Sequence, residues 1–125
     1  MMTAQKIECK RYDIWFAELS KNSTGSVQRG RRPVLIVQND IGNKYSTTVM
    51  VASITTQKKK PMPTHVELDA RDCGLKTNSI AMFEQVTTIE KDQLVFKIGS
   101  APEEYVPMLN RAGSISMGHI NPWDE

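Results

Sequence analysis

The sequence predicts a mainly β domain: a small curled sheet or barrel of five to seven short strands, with one helix packed on it late in the chain. Three observations predict it. Short apolar runs rich in Val, Ile and Thr recur from residue 12 to residue 89. Clusters of Gly, Pro, Asn, Asp and Ser separate them. Only near residue 100 does a strong helix-start signal appear. A chain of 125 residues holds one such domain with one modest core.

The elements follow in order. Residues 12–19 form the first strand, since Ile14 and Phe16 alternate with Asp13 and Trp15. Residues 20–30 read as a polar, Gly-containing loop, and Pro33 pushes Arg32 toward extended backbone. Residues 34–38 are a continuous β-branched run, the pattern of a strand buried on both faces. Residues 39–43 carry Asn, Asp and Gly and read as a turn. Residues 47–54 are the next buried strand, followed by a basic loop from 58 to 63 closed by two prolines. Residues 65–69 alternate as a strand, and Asp72-Cys73-Gly74 reads as a turn. Residues 79–84, continued by 86–89, are a further strand. Residues 90–94 suit a single helical turn and 96–99 a short last strand.

The helix is predicted to start at Ser100 as its cap, with Pro102 in the first turn and Glu103 three residues on. It runs to about Met117, bends at Pro107 and stops at Gly118. That leaves an irregular tail over 118–125. The whole of 1–125 is expected to be one domain with its core over about 10–117, without repeats or linkers.

Hydrophobic residues at 39% and charged residues at 24% describe a soluble globular chain, not a disordered one. There is no apolar run of about 18 residues and no apolar segment at the start. The expected location is therefore the cytoplasm, with Cys9 and Cys73 as free thiols. Met50, Met82, Met108 and Met117 suit a core or a soft binding surface, the core being the default. Net charge is only +2, yet Arg29, Arg31 and Arg32 cluster, and Lys58, Lys59 and Lys60 are consecutive. A basic face on a nearly neutral protein is thus available, as are two solvated loops.

The sequence lacks a Gly-x-Ser-x-Gly elbow, a phosphate loop, a His-Glu-x-x-His pair and an Asp-x-Asp type cluster. An enzyme built from it would work without metal or organic cofactor, using Arg, Thr, Ser, His and Glu on strand ends and loops. An arginine held by a following Pro at a strand start is well placed to meet a phosphate, because its planar fork matches two oxygens.

Four blocks stand in one order: Arg32-Pro33-Val34-Leu35-Ile36-Val37-Gln38-Asn39-Asp40, Val51-Ala52-Ser53-Ile54-Thr55, Pro63-Thr64-His65-Val66-Glu67-Leu68 and Phe83-Glu84-Gln85-Val86-Thr87-Thr88-Ile89. With this order and spacing the chain resembles the MazF/PemK family of type II toxins, over roughly residues 10–117, and looks closest to the branch of Gram-positive bacteria. The resemblance implies the SH3-like barrel that this family shares with CcdB-type toxins, working as a homodimer. It implies sequence-specific, metal-independent cleavage of single-stranded RNA, chiefly mRNA. It implies an antitoxin partner that lays an acidic tail over the toxin's groove.

Carried over by motif, the essential arginine is Arg32 and the essential threonine is Thr55. The 2′-hydroxyl of the substrate would attack the adjacent phosphorus, leaving a cyclic phosphate and a 5′-hydroxyl. Arg32 would stabilise the developing charge and Thr55 would contribute one hydrogen bond. The family's Gly-Ser-Glu-Gln loop reads Gly25-Ser26-Val27-Gln28 here. Val27 removes a candidate base, which leaves His65 and Glu84 as candidates by residue type. Ser26, Gln28, Arg29, Arg31, Lys58, Lys59 and Lys60 are expected to bind RNA, with Tyr45 and Gln85 as candidates for base contacts. Two other readings use the same barrel: a gyrase poison, for which Trp123 near the C-terminus is the hint, and a non-catalytic binding module.

Overall fold

The computed structural model describes residues 7–19 and 30–124. Ser26, Val27, Gln28 and Arg29 lie outside the described residues.

Among the described residues six strands form a single antiparallel sheet. They are β1 (Asp13–Glu18), β2 (Arg31–Ile36), β3 (Thr48–Thr55), β4 (His65–Leu68), β5 (Ser79–Glu90) and β6 (Leu94–Ser100). Their order across the sheet is β4-β5-β3-β2-β1-β6. The described residues also form the helices α1 (Asp40–Tyr45), α2 (Ala70–Cys73) and α3 (Val106–Ser116). A 3-10 turn at Lys91–Gln93 joins β5 to β6, and another at Glu103–Tyr105 leads into α3.

The apolar alternation divides the core between the two faces of the sheet. Ile14, Leu35, Ala52, Ile54, Ala81 and Phe83 point to one face, where Leu109 and Ala112 of α3 cover them. Ala17, Val34, Ile36, Val49, Val51 and Ile89 point to the other. The buried run of β2 therefore feeds both, which is why it shows no polar alternation. Each fully buried aliphatic side chain contributes about 1.5–3 kcal/mol relative to exposure. The curl of the sheet brings α2 against β6, where the Cys73 carbonyl lies on Gly99. The two outer strands are thereby linked through a helix, not through a ladder.

Several sequence expectations change. The turn at 39–43 is the start of α1, because the Asn39 side chain accepts the Gly42 N–H at 2.8 Å and caps a helix. The turn at 72–74 is the end of α2, capped by Asp69 and closed by Gly74 at φ +78°. Ser100 belongs to β6 and does not cap α3. Pro107 sits in the first turn of α3, where its missing N–H costs nothing, so it does not bend the helix. Of the four methionines only Met82 is in the core; Met50, Met108 and Met117 are exposed. Cys9 and Cys73 are free and buried. Among the described residues no helix is long and apolar enough to cross a membrane.

Candidate active site

Register decides which candidates meet. β2 and β3 pair with Val34 opposite Ser53. Carried two residues past the end of that ladder, the register sets Arg32 level with Thr55, with both residues on one face. Neighbouring strands lie about 4.8 Å apart, so these two groups share one small region of the sheet. The local sequence explains the position. Pro33 cannot donate to a ladder, and the β2–β3 pairing stops at Val34, which frees the arginine at the strand mouth.

Arg32 is partly buried, and its Nε is buried without a hydrogen-bond partner. A guanidinium held so, with an unused donor, is suited to an anion. Thr55 is the last residue of β3 and only 2% exposed. Its Oγ1 accepts the Gln57 N–H at 3.2 Å, which fixes the hydroxyl and leaves its proton to donate. Gln57 was not among the residues expected at the site.

His65 opens β4, and its position in the ladder follows Met82 of β5 to Ser53 of β3. It therefore lies on the same face as Thr55, level with Ser53 and about 10 Å from that residue across two strands. Glu84 reaches it through a break in the β3–β5 ladder. Ala52 pairs with Val86 and the next residue, Ser53, with Met82, so that Phe83, Glu84 and Gln85 bulge from the sheet. Glu84 accepts from Thr64 Oγ1 at 2.7 Å and lies 2.8 Å from His65 Nε2. Burial works against its charge, but the hydrogen bonds from Thr64 and His65 outweigh it and hold Glu84 below the usual carboxylate range. An ionised carboxylate only accepts, so His65 Nε2 carries the proton. His65 Nδ1 is buried and unpartnered. With one nitrogen bonded and the other enclosed, the pair is arranged to hold the bulge more than to exchange protons with a substrate. Gln85 sits beside it with a buried Oε1 lacking a partner.

The basic residues divide. Lys58, Lys59 and Lys60 are exposed on the segment after Thr55. Arg31 is exposed and its Nε meets Glu18 at 3.3 Å. It pairs with Glu18 on the face opposite Arg32. Tyr45 is 74% exposed at the end of α1, with the Lys44 ammonium over its ring. It follows the far end of β2, so one protomer does not bring it to Arg32. Trp123 is also exposed, in the turn after α3.

A groove of about 870 Å³ opens between β4 and α3. Lys58, His65, Glu67, Tyr105 and Arg111 help to line it. Glu67 and Arg111 escaped sequence reading because only the fold brings α3 to the edge of β4.

Comparison with known proteins bears on the family and the fold. A family model described as PemK-like, MazF-like toxin of type II toxin-antitoxin system matches residues 10–115. "Endoribonuclease EndoA" of Bacillus subtilis is 45% identical over 113 residues, covering 90% of this chain and 97% of the relative. "Endoribonuclease MazF" of Staphylococcus saprophyticus is 42% identical over 110 residues, covering 87% and 91%. Among solved structures, the Mycobacterium tuberculosis toxin MazF-mt6 superposes with a TM-score of 0.71 at 28% identity, covering 84% of this chain and 95% of that one. MazF of Deinococcus radiodurans gives 0.75 at 15% identity, with coverage of 90% and 99%, and supports the fold alone.

Proposed function

The chain belongs to the PemK-like, MazF-like toxin family of type II toxin–antitoxin systems and is an endoribonuclease, and from that premise we propose how it cuts and what it cuts. The substrate is single-stranded RNA, chiefly mRNA, cut at short sequences in the cytoplasm without metal or cofactor. The toxin acts as a homodimer, with one catalytic unit over about residues 10–117, and is held silent by a cognate antitoxin whose acidic tail occupies its groove.

One observation supports this reading: the β2–β3 register, carried two residues past Val34–Ser53, sets Arg32 level with Thr55 on one face, and the guanidinium keeps a buried Nε without a partner. A phosphodiester lodged there receives Arg32 on its non-bridging oxygens and the Thr55 hydroxyl beside them. The 2′-hydroxyl oxygen attacks phosphorus, the P–O5′ bond breaks, and a 2′,3′-cyclic phosphate and a 5′-hydroxyl result. DNA lacks that nucleophile and is spared. Arg32 gains contact as negative charge builds, which is selective stabilisation of the transition state. The buried setting of Thr55 and its bond to Gln57 reduce the freedom that must be lost on binding. The Thr64–Glu84–His65 chain supports the bulge beside this site. Lys58, Lys59 and Lys60 guide the backbone of the RNA toward it. Ser26, Gln28 and Arg29 complete its approach, and Gln85 offers a base contact.

The test is cleavage of a random-sequence RNA in EDTA. Wild type is expected to leave 5′-hydroxyl and cyclic-phosphate ends, and Arg32→Ala to leave the RNA intact. Undamaged RNA at high wild-type concentration, or full activity of Arg32→Ala, overturns the reading.

A further inference from the structure

Resting on the reading of Arg32 as the holder of the scissile phosphate, we propose that Trp15 is a further substrate-binding residue. Its indole N–H donates to an RNA phosphate oxygen beside Arg32.

Among the described residues four buried side-chain polar atoms have no hydrogen-bond partner: Trp15 Nε1, Arg32 Nε, His65 Nδ1 and Gln85 Oε1. A native fold leaves few such groups, because each costs the desolvation of an unpaired dipole. Three of the four belong to residues already described at the site. Trp15 is the fourth. Its ring packs against the cluster that holds Val34, Ala17 and Leu94. A phenyl ring would serve that packing without burying an unpaired N–H.

Register brings this donor to Arg32. On β1, Ala17 stands opposite Arg32 and Trp15 opposite Val34, so all four share one face. Trp15 and Arg32 are diagonal neighbours, about 7–8 Å apart and within reach of an aromatic and a long side chain. Ala17 is fully buried and has no polar side-chain atom. Leu19, whose N–H bonds the Gly30 carbonyl on the other side of Arg32, is buried and apolar. Trp15 is therefore the side-chain donor that β1 offers beside the guanidinium.

The two donors select the ligand. Indole nitrogen and guanidinium only donate, so what fills both is an acceptor that bears negative charge. A carboxylate has two oxygens, and the guanidinium fork alone satisfies them. Successive phosphates of an RNA strand offer more acceptors than the fork takes up and leave one for the indole. Trp15 is partly exposed although its Nε1 is enclosed. On binding, the indole turns until its N–H meets the oxygen, and an unpaired donor becomes a charge-assisted bond.

The test uses the indole proton itself. The sequence has two tryptophans, and Trp123 is exposed in the turn after α3. In isotope-labelled Trp123→Phe protein, Trp15 gives the single indole N–H resonance. The probe is a mixed-sequence 2′-O-methyl RNA, which lacks the nucleophile and stays uncut. The resonance is expected to move downfield, and exchange of its proton with solvent to slow, in step with RNA binding. Trp15→Phe keeps a ring and removes the donor. It is expected to lower kcat/KM on random-sequence RNA by about tenfold or more. Its slope of log affinity against log salt should match wild type, because a neutral indole releases no counterion. Arg32→Ala should lower that slope by about 0.7.

An indole resonance that stays in place at saturating RNA overturns the proposal, whatever Trp15→Phe does to activity. Unchanged affinity and kcat/KM in Trp15→Phe overturn it too. So does a resonance that moves with an acid-rich peptide and not with RNA, which makes Trp15 a protein contact. If the resonance moves with RNA while Arg32→Ala cuts as fast as wild type, the Arg32 reading fails and the Trp15 contact stands.

Discussion

His65 Nε2 and Glu84 Oε2 lie 2.8 Å apart, joining the first residue of β4 to the bulge in β5. Thr64 Oγ1 donates to the other oxygen of the same carboxylate at 2.7 Å. Both contacts favour the ionised form and outweigh burial, so the folded-state pKa of Glu84 lies below its unfolded value. The linkage sign follows. The stabilisation is fully present above the ordinary glutamate value of about 4.5 and is lost as pH falls through the lowered folded value. Glu84→Gln should therefore flatten the acid side of the stability curve. Thermal melting from pH 7 down to pH 3 checks this (pH values chosen about the carboxylate range); parallel curves for wild type and variant would refute it.

Thr55 gives a sharper separation of chemistry from folding. Valine copies its shape inside the sheet but has no hydroxyl. Thr55→Val is expected to lower the cleavage rate by about 100-fold or more, the usual effect of losing one charge-stabilising donor. Thr55→Ser should retain most of the rate, because it keeps the Oγ that Gln57 N–H binds. Single-turnover cleavage alongside a melting curve decides between this and a purely structural role, in which activity would track stability.

The strands were legible because β2 and β3 are β-branched runs that bury both faces, although β2 begins at Arg31, two residues before Pro33. The match of Arg32 to Thr55 was legible only as family likeness; its physical basis is register, which requires knowing that β2 pairs β3. The two short helices were misread for a local reason. Asn39 and Asp69 are turn formers and helix caps alike, and only the hydrogen bonds to Gly42 and Arg71 tell which. Pro107 was misplaced because Ser100 and Pro102 imitate a helix start that β6 and a 3-10 turn absorb. The bulge at Phe83–Gln85 has no sequence mark at all. It depends on His65 of β4 and on Thr64 in the turn just before it.

Cys73 should be inert in the folded protein. It is 1% exposed, and burial first, then Asp72 and Asp69, push its thiol up to about 11. Thiolate is the reactive form, so at neutral pH both access and charge oppose alkylation. Iodoacetamide labelling read by mass spectrometry is expected to leave Cys73 unmodified in native protein and to modify it after denaturation. Rapid native labelling would mean that α2 opens from β6.

Gly99 is where the curl of the sheet is most exposed to a single change. A Cβ there would stand 2.2 Å from the Cys73 carbonyl oxygen and 3.1 Å from its carbon. These are backbone atoms at the end of α2, so no side-chain rotation relieves the overlap. Gly74 follows at φ +78°, and its own neighbour is the Ile98 carbonyl, so helix and strand are interlocked there. Either α2 lifts from β6 or β6 shifts against β1, and each exposes part of the core that includes Leu68, Cys73 and Tyr105. Gly99→Ala is expected to cost about 1–3 kcal/mol, as overpacking does, with larger residues costing more. Urea titration measures it. Gly118→Ala is the control: its φ of +82° strains any side chain, but nothing lies within 4 Å of an added Cβ, so it should cost less, about 1 kcal/mol. Equal midpoints for the two variants would show that α2 yields freely and that the contact does not hold the curl.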